Sequence, residues 1–440
     1  MHLSENEGIE GNTFVVTGGL GFVGSALCSD LVRRGAREVR SLDHRSSSPW
    51  SDHLAKIGVR CIQGDVCQKK DVERALRGAA CVFHLASYGM SGKEMLQAGR
   101  VDEVNINGTC HVLDACVMFG IKRLIYVSTY NVVFGGKEIV NGNEALPYFP
   151  IDDHVDPYGR SKSIAEQLVL KNNGRQSNNA SVKTDWVYVD NLVLALIQAS
   201  MGLLDDIPGK KGPPVAAGQP YFICDGSPVN TFEFLRPLLR SLKYDLPNTW
   251  IDVSLALTFA RIFWVLYTLL YPMLHKSWLP QPLILPAEVY KVGVTHYFSY
   301  LKAKEELGYV PMVSPQDGMT ATIAYWKERK RRSLDGPTIY VWLFALIGMT
   351  ALFVAAFLPE IGPVKFIKAF ALLLFRSGRV LQIVFILALA AHLGEGIYAW
   401  QLAKKVDPAN SNGWFWQTFA LGFFSLRFLL KRAKGNNRNG

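Results

Sequence analysis

Among the seven cysteines there is no Cys-x-x-Cys pair and no companion histidine cluster. That argues against a zinc framework and against a disulfide scaffold. Cys28, Cys61, Cys67, Cys81, Cys110, Cys116 and Cys224 instead read as reduced, mostly buried small hydrophobes, with no metal site expected. The opening MHLSENEGIEGNTF lacks the charged-then-apolar order of a secretory signal. The first domain is therefore expected in the cytosol. No internal repeat is visible. A basic field over the bulk of the chain is missing too. The net charge of +10 is concentrated beyond residue 326, where 16 Lys/Arg face 5 Asp/Glu, which leaves the first 326 residues at about −1. A general nucleic-acid binder is not expected from that distribution. The positive charge flanks apolar segments, as it does beside anionic cytoplasmic lipid.

What is present begins with an alternation of strands and helices. TFVVTG, EVRSLDHR, VRCIQGDV, ACVFHLAS and RLIYVST are short β-rich runs. Between them lie stretches of helical spacing, GSALCSDLVRRG, DVERALRG and VNINGTCHVLDACVMFG. Continuous apolar strands separated by helices predict a parallel sheet covered on both faces. The fold class is α/β, a Rossmann-type doubly wound parallel sheet with a small substrate-binding lobe and a C-terminal helical transmembrane region. Three domains are expected: 1–185, a nucleotide-binding domain with the candidate Tyr/Lys pair; 186–336, the rest of the sheet and a substrate lobe; and 337–440, a membrane-embedded tail.

The tail starts after KERKRR. Residues 338–358 are 21 residues without a charge, enough to cross about 30 Å of hydrocarbon. Residues 380–400, with Glu395, and 413–430, with Arg427, are the second and third candidate spans. Residues 365–375 are too short and suit the interface. The stretch 251–274 carries Asp252, Arg261 and a proline, so it reads as an interfacial or hydrophobic-pocket helix before a span. KERKRR would hold the large domain on the cytoplasmic side, while the basic KRAK near the end conflicts with three spans.

Two motifs carry chemistry. TGGLGFVG sets Gly18, Gly21 and Gly24 between a strand and a helix. Such glycines permit the tight turn, the approach of a pyrophosphate and close helix–strand packing, with phosphate on the helix N-terminus. Asp43 lies 19 residues past Gly24, at the end of the second strand, where a carboxylate binds a ribose 2′-hydroxyl and repels a 2′-phosphate. NAD is thus expected before NADP, although Arg45 softens the preference. Asp65 and Val66 end the third strand and are placed to meet the adenine. In DPYGRSK, Tyr158 and Lys162 stand four apart, one helical turn, so both share a face. A cation beside a phenol lowers its pKa and makes it a usable acid/base. Ser128 and Thr129 end the fifth strand, where a hydroxyl can hold a substrate oxygen. Alone, Tyr-x-x-x-Lys is as well explained by a surface pair. After a nucleotide fold it is not.

TGGLGFVG, GDV, HLAS, VSTYNVVFGG, YGRSK and VYVDN occur in the order found in the extended short-chain dehydrogenase/reductases, and over essentially its whole length the chain resembles the 3β-hydroxysteroid dehydrogenase branch, most closely family 42E. The resemblance implies Tyr158 as general base, Lys162 as its partner and ribose ligand, and Thr129 as the substrate-orienting hydroxyl. It implies NAD contacts at Gly18, Gly21, Phe22, Val23, Gly24, Asp43, Asp65, Val66 and Ala86, and matches Asn107 to a proton-relay asparagine. The implied reaction is oxidation of the 3β-hydroxyl of a steroid or sterol, as in steroid biosynthesis, with a double-bond shift following in some relatives. A lipid bilayer is an expected partner, a homo-oligomer is open, and the endoplasmic reticulum membrane suits the substrate class.

The pattern departs at KNNGRQSNNASVKTD. Trp186 stands only 24 positions past Lys162, far fewer than in the family, and no β-branched run or Arg-Pro fills the space. Residues 171–185 read as the scar of an internal deletion. The alternative implied is a catalytically inactive nucleotide-binding membrane protein or scaffold.

Overall fold

The computed structural model describes residues 6–171, 186–204, 213–242, 244, 251–270, 281–332, 334, 336–362 and 364–436. The expected scar therefore lies outside the described residues, apart from Lys171 itself. The chain divides into two compact units, Met1–Ala321 and Thr322–Gly440.

The first unit opens with β1 (Thr13–Thr17), α1 (Phe22–Arg33), β2 (Glu38–Asp43), α2 (Ser51–Lys56), β3 (Arg60–Gln63), α3 (Lys69–Leu76) and β4 (Cys81–His84). α4 (Ala98–Asp102) leads through a π-helical turn, Glu103–Asn107, into α5 (Gly108–Phe119), and β5 (Arg123–Tyr126) comes next. These strands form one parallel sheet in the order β3-β2-β1-β4-β5. The order reverses beside β1, the arrangement of a doubly wound sheet. β1 is buried on both faces, as its unbroken apolar run requires. Phe14 and Val16 pack with Leu27, Leu31, Val193 and Ile197, whereas Val15 packs with Leu42, Val72, Val82 and Val112.

Beyond the sheet come β6 (Ile139–Gly142), α6 (Pro157–Lys171), α7 (Val189–Met201), α8 (Thr231–Ser241), α9 (Val253–Leu270), α10 (Pro286–Gly293), β7 (His296–Phe298), α11 (Leu301–Leu307) and α12 (Pro315–Arg332). β6 and β7 pair in parallel as a separate two-stranded sheet. Phe134, Ile139, Leu146 and Phe298 make a small core of their own there. The WVYVDN segment, strand-like by composition, is not a strand. Residues 186–188 connect to a helix that starts at Val189. The reason is tertiary: Val193, Leu196 and Ile197 recur at helical spacing against the α1 side of the sheet. Asp225 fixes the entry, accepting from the Tyr188 amide at 2.9 Å and from Asn191 Nδ2 at 2.8 Å.

The second unit holds α13 (Ile339–Phe357), α14 (Val364–Phe375), α15 (Gly378–Val406), α16 (Ser411–Leu421) and α17 (Phe423–Asn436). The expected span 413–430 is not one helix. It breaks at Gly422, whose φ of +59° ends α16, and a Cβ there would lie 2.8 Å from Glu395 Oε2 and 3.0 Å from His392 Nε2. Among the described residues three helices are long and apolar enough to cross a membrane: α9, α13 and α15. α9, expected as a pocket or interfacial helix, thus joins them in place of 413–430. Only Ala260 of α9 is buried. At the end of α15, Asp407 accepts from Trp414 Nε1 at 3.0 Å and Arg432 at 2.6 Å.

Candidate active site

The turn from β1 into α1 is shaped by its glycines. Gly18 has φ +70°, and a Cβ there would stand 3.0 Å from the Ala86 amide nitrogen. A Cβ on Gly24 would come within 2.3 Å of the Gly18 carbonyl oxygen. Gly21 caps α1 with no side-chain hydrogen bond, so the first amides of the helix remain unspent by side chains. Phe22 is exposed, its ring 5.9 Å from Trp50, and Val23 packs against the core. A backbone cradle closed to side chains at a helix N-terminus fits a pyrophosphate.

Asp43 is buried at the end of β2 and accepts from the Leu20 amide at 3.1 Å. Its carboxylate also takes Arg45 Nε at 3.0 Å and a terminal Arg45 nitrogen at 2.9 Å. Burial works to raise its pKa, but the Arg45 hydrogen bonds outweigh that and hold it below the usual carboxylate range. Asp65 turns to Arg100 at 2.9 Å and to the Cys67 amide at 3.0 Å. Val66 is buried against Gly108. Ala86 is fixed by its amide, which donates to Thr17 Oγ1 at 3.2 Å.

Behind Ala86 a buried histidine sets the strand ends. His84 Nδ1 lies 2.7 Å from Thr17 Oγ1, and Nε2 lies 3.0 Å from Thr109 Oγ1. The Thr109 hydroxyl spends its proton on the Asn105 carbonyl at 2.6 Å, so Nε2 carries the hydrogen and Nδ1 accepts from Thr17. Burial, assisted by the Lys162 charge, pushes the imidazole down to about 3.

Tyr158 and Lys162 sit one turn apart on α6, both buried. The Lys162 ammonium donates to the Val127 carbonyl at 2.6 Å and rests 4.1 Å from the Tyr126 ring centre. Burial pushes Lys162 down to about 7, opposed by the Glu166 carboxylate. Tyr158 does not show the lowered pKa that its lysine suggests. Burial pushes the phenol up to about 12, with the Ser87 hydroxyl opposing. Low-dielectric surroundings disfavour the phenolate, the Asp156 charge adds to this, and the Lys162 ammonium is directed to the Val127 carbonyl and the Tyr126 ring. Thr129 lies just past β5, and its hydroxyl accepts from the Asn131 amide at 3.3 Å.

The asparagine in this region is not the one the resemblance suggests. Asn107 is exposed, whereas Asn105 is buried and faces α6. Asn105 Oδ1 accepts from the Tyr88 amide at 2.8 Å, and Nδ2 donates to the Tyr88 carbonyl and to Ser161 Oγ, both at 2.9 Å. Ser161 in turn donates to the Tyr158 carbonyl at 2.9 Å. Asn105 thereby ties the loop after β4 to the first turn of α6. Both asparagines lie in the π-helical turn, two residues apart and on different sides of it, and the resemblance matches the outward one.

The chain matches the 3-beta hydroxysteroid dehydrogenase/isomerase family over residues 15–183 and again over 176–257. The two matches meet inside the shortened segment. Residues 340–431 match Transmembrane protein 254. Short-chain dehydrogenase/reductase family 42E member 1 of Danio rerio is 37% identical over 396 residues, covering 80% of this chain and 98% of the relative. Since 80% of 440 is about 352, some 44 of those 396 positions have no counterpart here. A 3-beta-hydroxysteroid dehydrogenase of Mycolicibacterium neoaurum is 32% identical, covering 71% of this chain and 91% of the relative. Among solved structures, a UDP-glucose 4-epimerase from Bifidobacterium longum in complex with NAD+ and UDP has a TM-score of 0.52 at 17% identity, covering 72% of this chain and 98% of the epimerase. At that identity the likeness shows the fold alone.

Proposed function

Because this chain belongs to the 3-beta hydroxysteroid dehydrogenase/isomerase family, we propose that it is a membrane-anchored, NAD-dependent oxidoreductase acting on the 3β-hydroxyl of a steroid or sterol. The observation that carries this reading is the buried Tyr158–Lys162 pair on α6, in the same unit as the glycine cradle of β1 and α1.

The cradle of Gly18, Gly21 and Gly24 fits the pyrophosphate of NAD, with Phe22 and Val23 on the first turn of α1 and Asp43 on the adenosine ribose. Asp65, Val66 and Ala86 line the rest of the nucleotide path. When bound, NAD supplies the hydride acceptor. Thr129 holds the substrate oxygen, and Tyr158 takes the hydroxyl proton. Lys162 binds the nicotinamide ribose, and the Ser87 hydroxyl counters the burial that raises Tyr158. α9, α13 and α15 support a membrane location suited to a substrate that partitions into lipid; the cytosolic face of the endoplasmic reticulum is the compartment we infer.

The test is Tyr158→Phe. Steroid-dependent NADH formation should fall at least about a hundredfold, while NAD should still raise the melting temperature. Undiminished turnover by the variant would refute the assignment of Tyr158. A second reading is favoured by the two family matches that meet at residues 176–183: the chain binds the nucleotide without turning over a steroid. A rise in melting temperature with NAD, and no NADH from any 3β-hydroxysteroid, would select it.

A further inference from the structure

At 1.5 Å per residue, the 11 residues of α16 and the 14 of α17 are about 17 and 21 Å long. Neither reaches across about 30 Å of hydrocarbon. Their packing shows where they go instead. Trp414, early in α16, shares a core with Ala399 and Ala403 near the end of α15. Phe415 and Phe419 pass Gly396, where an added Cβ would stand 3.4 Å from atoms of both. The Phe419 carbonyl then accepts from His392 Nδ1 at 2.9 Å. As α16 advances, its partners on α15 recede, so the two helices run antiparallel. After Gly422 the chain comes back. Ser425 Oγ lies 3.0 Å from Thr418 Oγ1, Leu426 and Leu429 rejoin the core of Ala399 and Trp414, and Arg432 reaches Asp407 just past α15.

The turn at Gly422 lies beside His392 and Glu395. Measured inward from Trp400, that is roughly 8–12 Å along α15. Backbone at such a depth in a membrane must find its partners inside the protein. Here it does. The Gly422 amide donates to the Thr418 carbonyl at 2.7 Å, and the Gly422 carbonyl accepts from the Ser425 and Leu426 amides at 3.0 and 3.2 Å. α13 completes the arrangement. Near its end the Phe353 and Phe357 rings each lie 5.5 Å from the Phe385 ring, early in α15. Ahead of its start, Leu334 packs on the core of Ala399 and Trp414. The start of α13, the end of α15 and both outer ends of α16 and α17 therefore share one end of the second unit.

Charge follows the same division. The segments that run into this end, 327–335, 404–407 and 431–434, hold ten Lys/Arg against three Asp/Glu. One of those acids, Asp407, is spent on Arg432 and Trp414. Lys404, Lys405 and Lys431 are exposed. At the opposite end, residues 360–379 hold four Lys/Arg against one acid, and that acid, Glu360, pairs with Lys368 at 3.2 Å. Clustered cations beside a span attract anionic headgroups. We propose that α16 and α17 form a re-entrant hairpin, which enters and leaves the membrane by one face, and that the basic end it completes is a docking surface for anionic phospholipid headgroups. This rests on the reading of α13 and α15 as membrane spans. Two spans and a hairpin also put KRAK on the same side as KERKRR, which three spans do not.

The test uses the full chain in two assays. In sealed microsomes, an epitope inserted after Arg332 and one added after Gly440 should be digested by protease from the same side. Digestion of one and protection of the other would overturn the hairpin. Release of the chain from membranes by alkaline carbonate would instead refute the spanning of α13 and α15, and the proposal with it. In the second assay the detergent-solubilised chain is equilibrated with equal amounts of phosphatidylserine and phosphatidylcholine, and the retained lipid is counted by native mass spectrometry. Phosphatidylserine should be retained at least about fivefold over phosphatidylcholine. About 1 M salt, which screens charge within roughly 3 Å, should abolish the preference. Inorganic phosphate at the lipid concentration should not displace the lipid. The triple variant Lys404→Gln, Lys405→Gln, Lys431→Gln should bring the ratio towards one, while Lys365→Gln with Arg379→Gln, at the other end, should leave it unchanged. Each variant is checked by its melting temperature, and the salt dependence of the wild type decides the matter without any substitution. Equal retention of the two lipids, a preference that survives salt or the triple variant, an equal loss in the far-end pair, or displacement by inorganic phosphate would overturn the docking surface.

Discussion

Replacing Gly24 with alanine tests the nucleotide cradle without touching any ionisable group. The new Cβ would stand 2.3 Å from the Gly18 carbonyl oxygen and 2.7 Å from the Gly19 Cα. Both obstacles are backbone, so no side chain can swing away. Either α1 moves off β1 or the turn opens. Overpacking of this kind costs about 1–3 kcal/mol. In a unit of this size, each kcal/mol lowers the melting temperature by roughly 2–4 °C, so a fall of several degrees is expected. The second effect is on binding. NAD at 100 times its Kd adds about 2.7 kcal/mol to the folded state, and a displaced turn should remove much of that increment. Gly99→Ala is the control. Gly99 lies in α4, has an ordinary φ and faces nothing within 4 Å, so alanine there should be neutral or stabilising by up to about 1 kcal/mol. Both variants are read by thermal melts with and without NAD. If Gly24→Ala melts like wild type and keeps the full NAD increment, the close approach of α1 to the turn is not what the cradle depends on.

The buried polar groups give two further expected outcomes. His84 is held near 3 in the folded protein against an ordinary 6.5, so the unfolded state binds more protons between these values and stability falls as pH drops below about 6.5, by up to about 1.4 kcal/mol per pH unit. Melts from pH 7 to 5 should show a shallower slope for His84→Gln, and identical slopes would contradict the neutral ring. Asn105→Leu removes the side chain that bonds the Tyr88 amide and carbonyl and should cost about 1–3 kcal/mol. It should also loosen the loop that carries Ser87, whereas Asn107→Leu, on the exposed face, should leave the melt within about 0.5 kcal/mol of wild type.

The sheet and its nucleotide end were legible because local pattern and burial agree. The run TFVVT has no charged residue and an unbroken Phe-Val-Val centre, so it becomes a strand buried on both faces, and Gly18 and Gly24 beside it leave no room for a side chain. The misread segments were decided elsewhere in the fold. WVYVDN looks like a strand by composition, but the packing of Val193 and Ile197 against the sheet makes a helix of residues 189–201. Asn105 and Asn107 are two apart in one helical stretch, and burial in the fold tells the inward one from the outward one. The stretch 413–430 reads as one apolar run, yet Gly422 faces Glu395 and His392, which no sequence window displays. The Tyr158 pKa went the other way because the spacing to Lys162 reports proximity and not enclosure.

α15 has a consequence set by its length alone. At 1.5 Å per residue its 29 residues span about 43 Å, against about 30 Å of hydrocarbon in a bilayer. A helix this long, were it to cross a bilayer, would have to tilt or extend beyond the hydrocarbon. Its composition favours an overhang at one end, where Lys404 rests on the Trp400 ring at 3.3 Å and Lys405 is the next residue. An aromatic ring and ammonium groups are the usual fittings of the headgroup layer. The Asp407–Arg432–Trp414 knot beyond them would then lie at the level of water and phosphate. In a thinner membrane this end would stand further out, and in a thicker one it would be drawn in, so bilayer thickness, more than the break at Gly422, would decide how firmly this corner of the second unit is held.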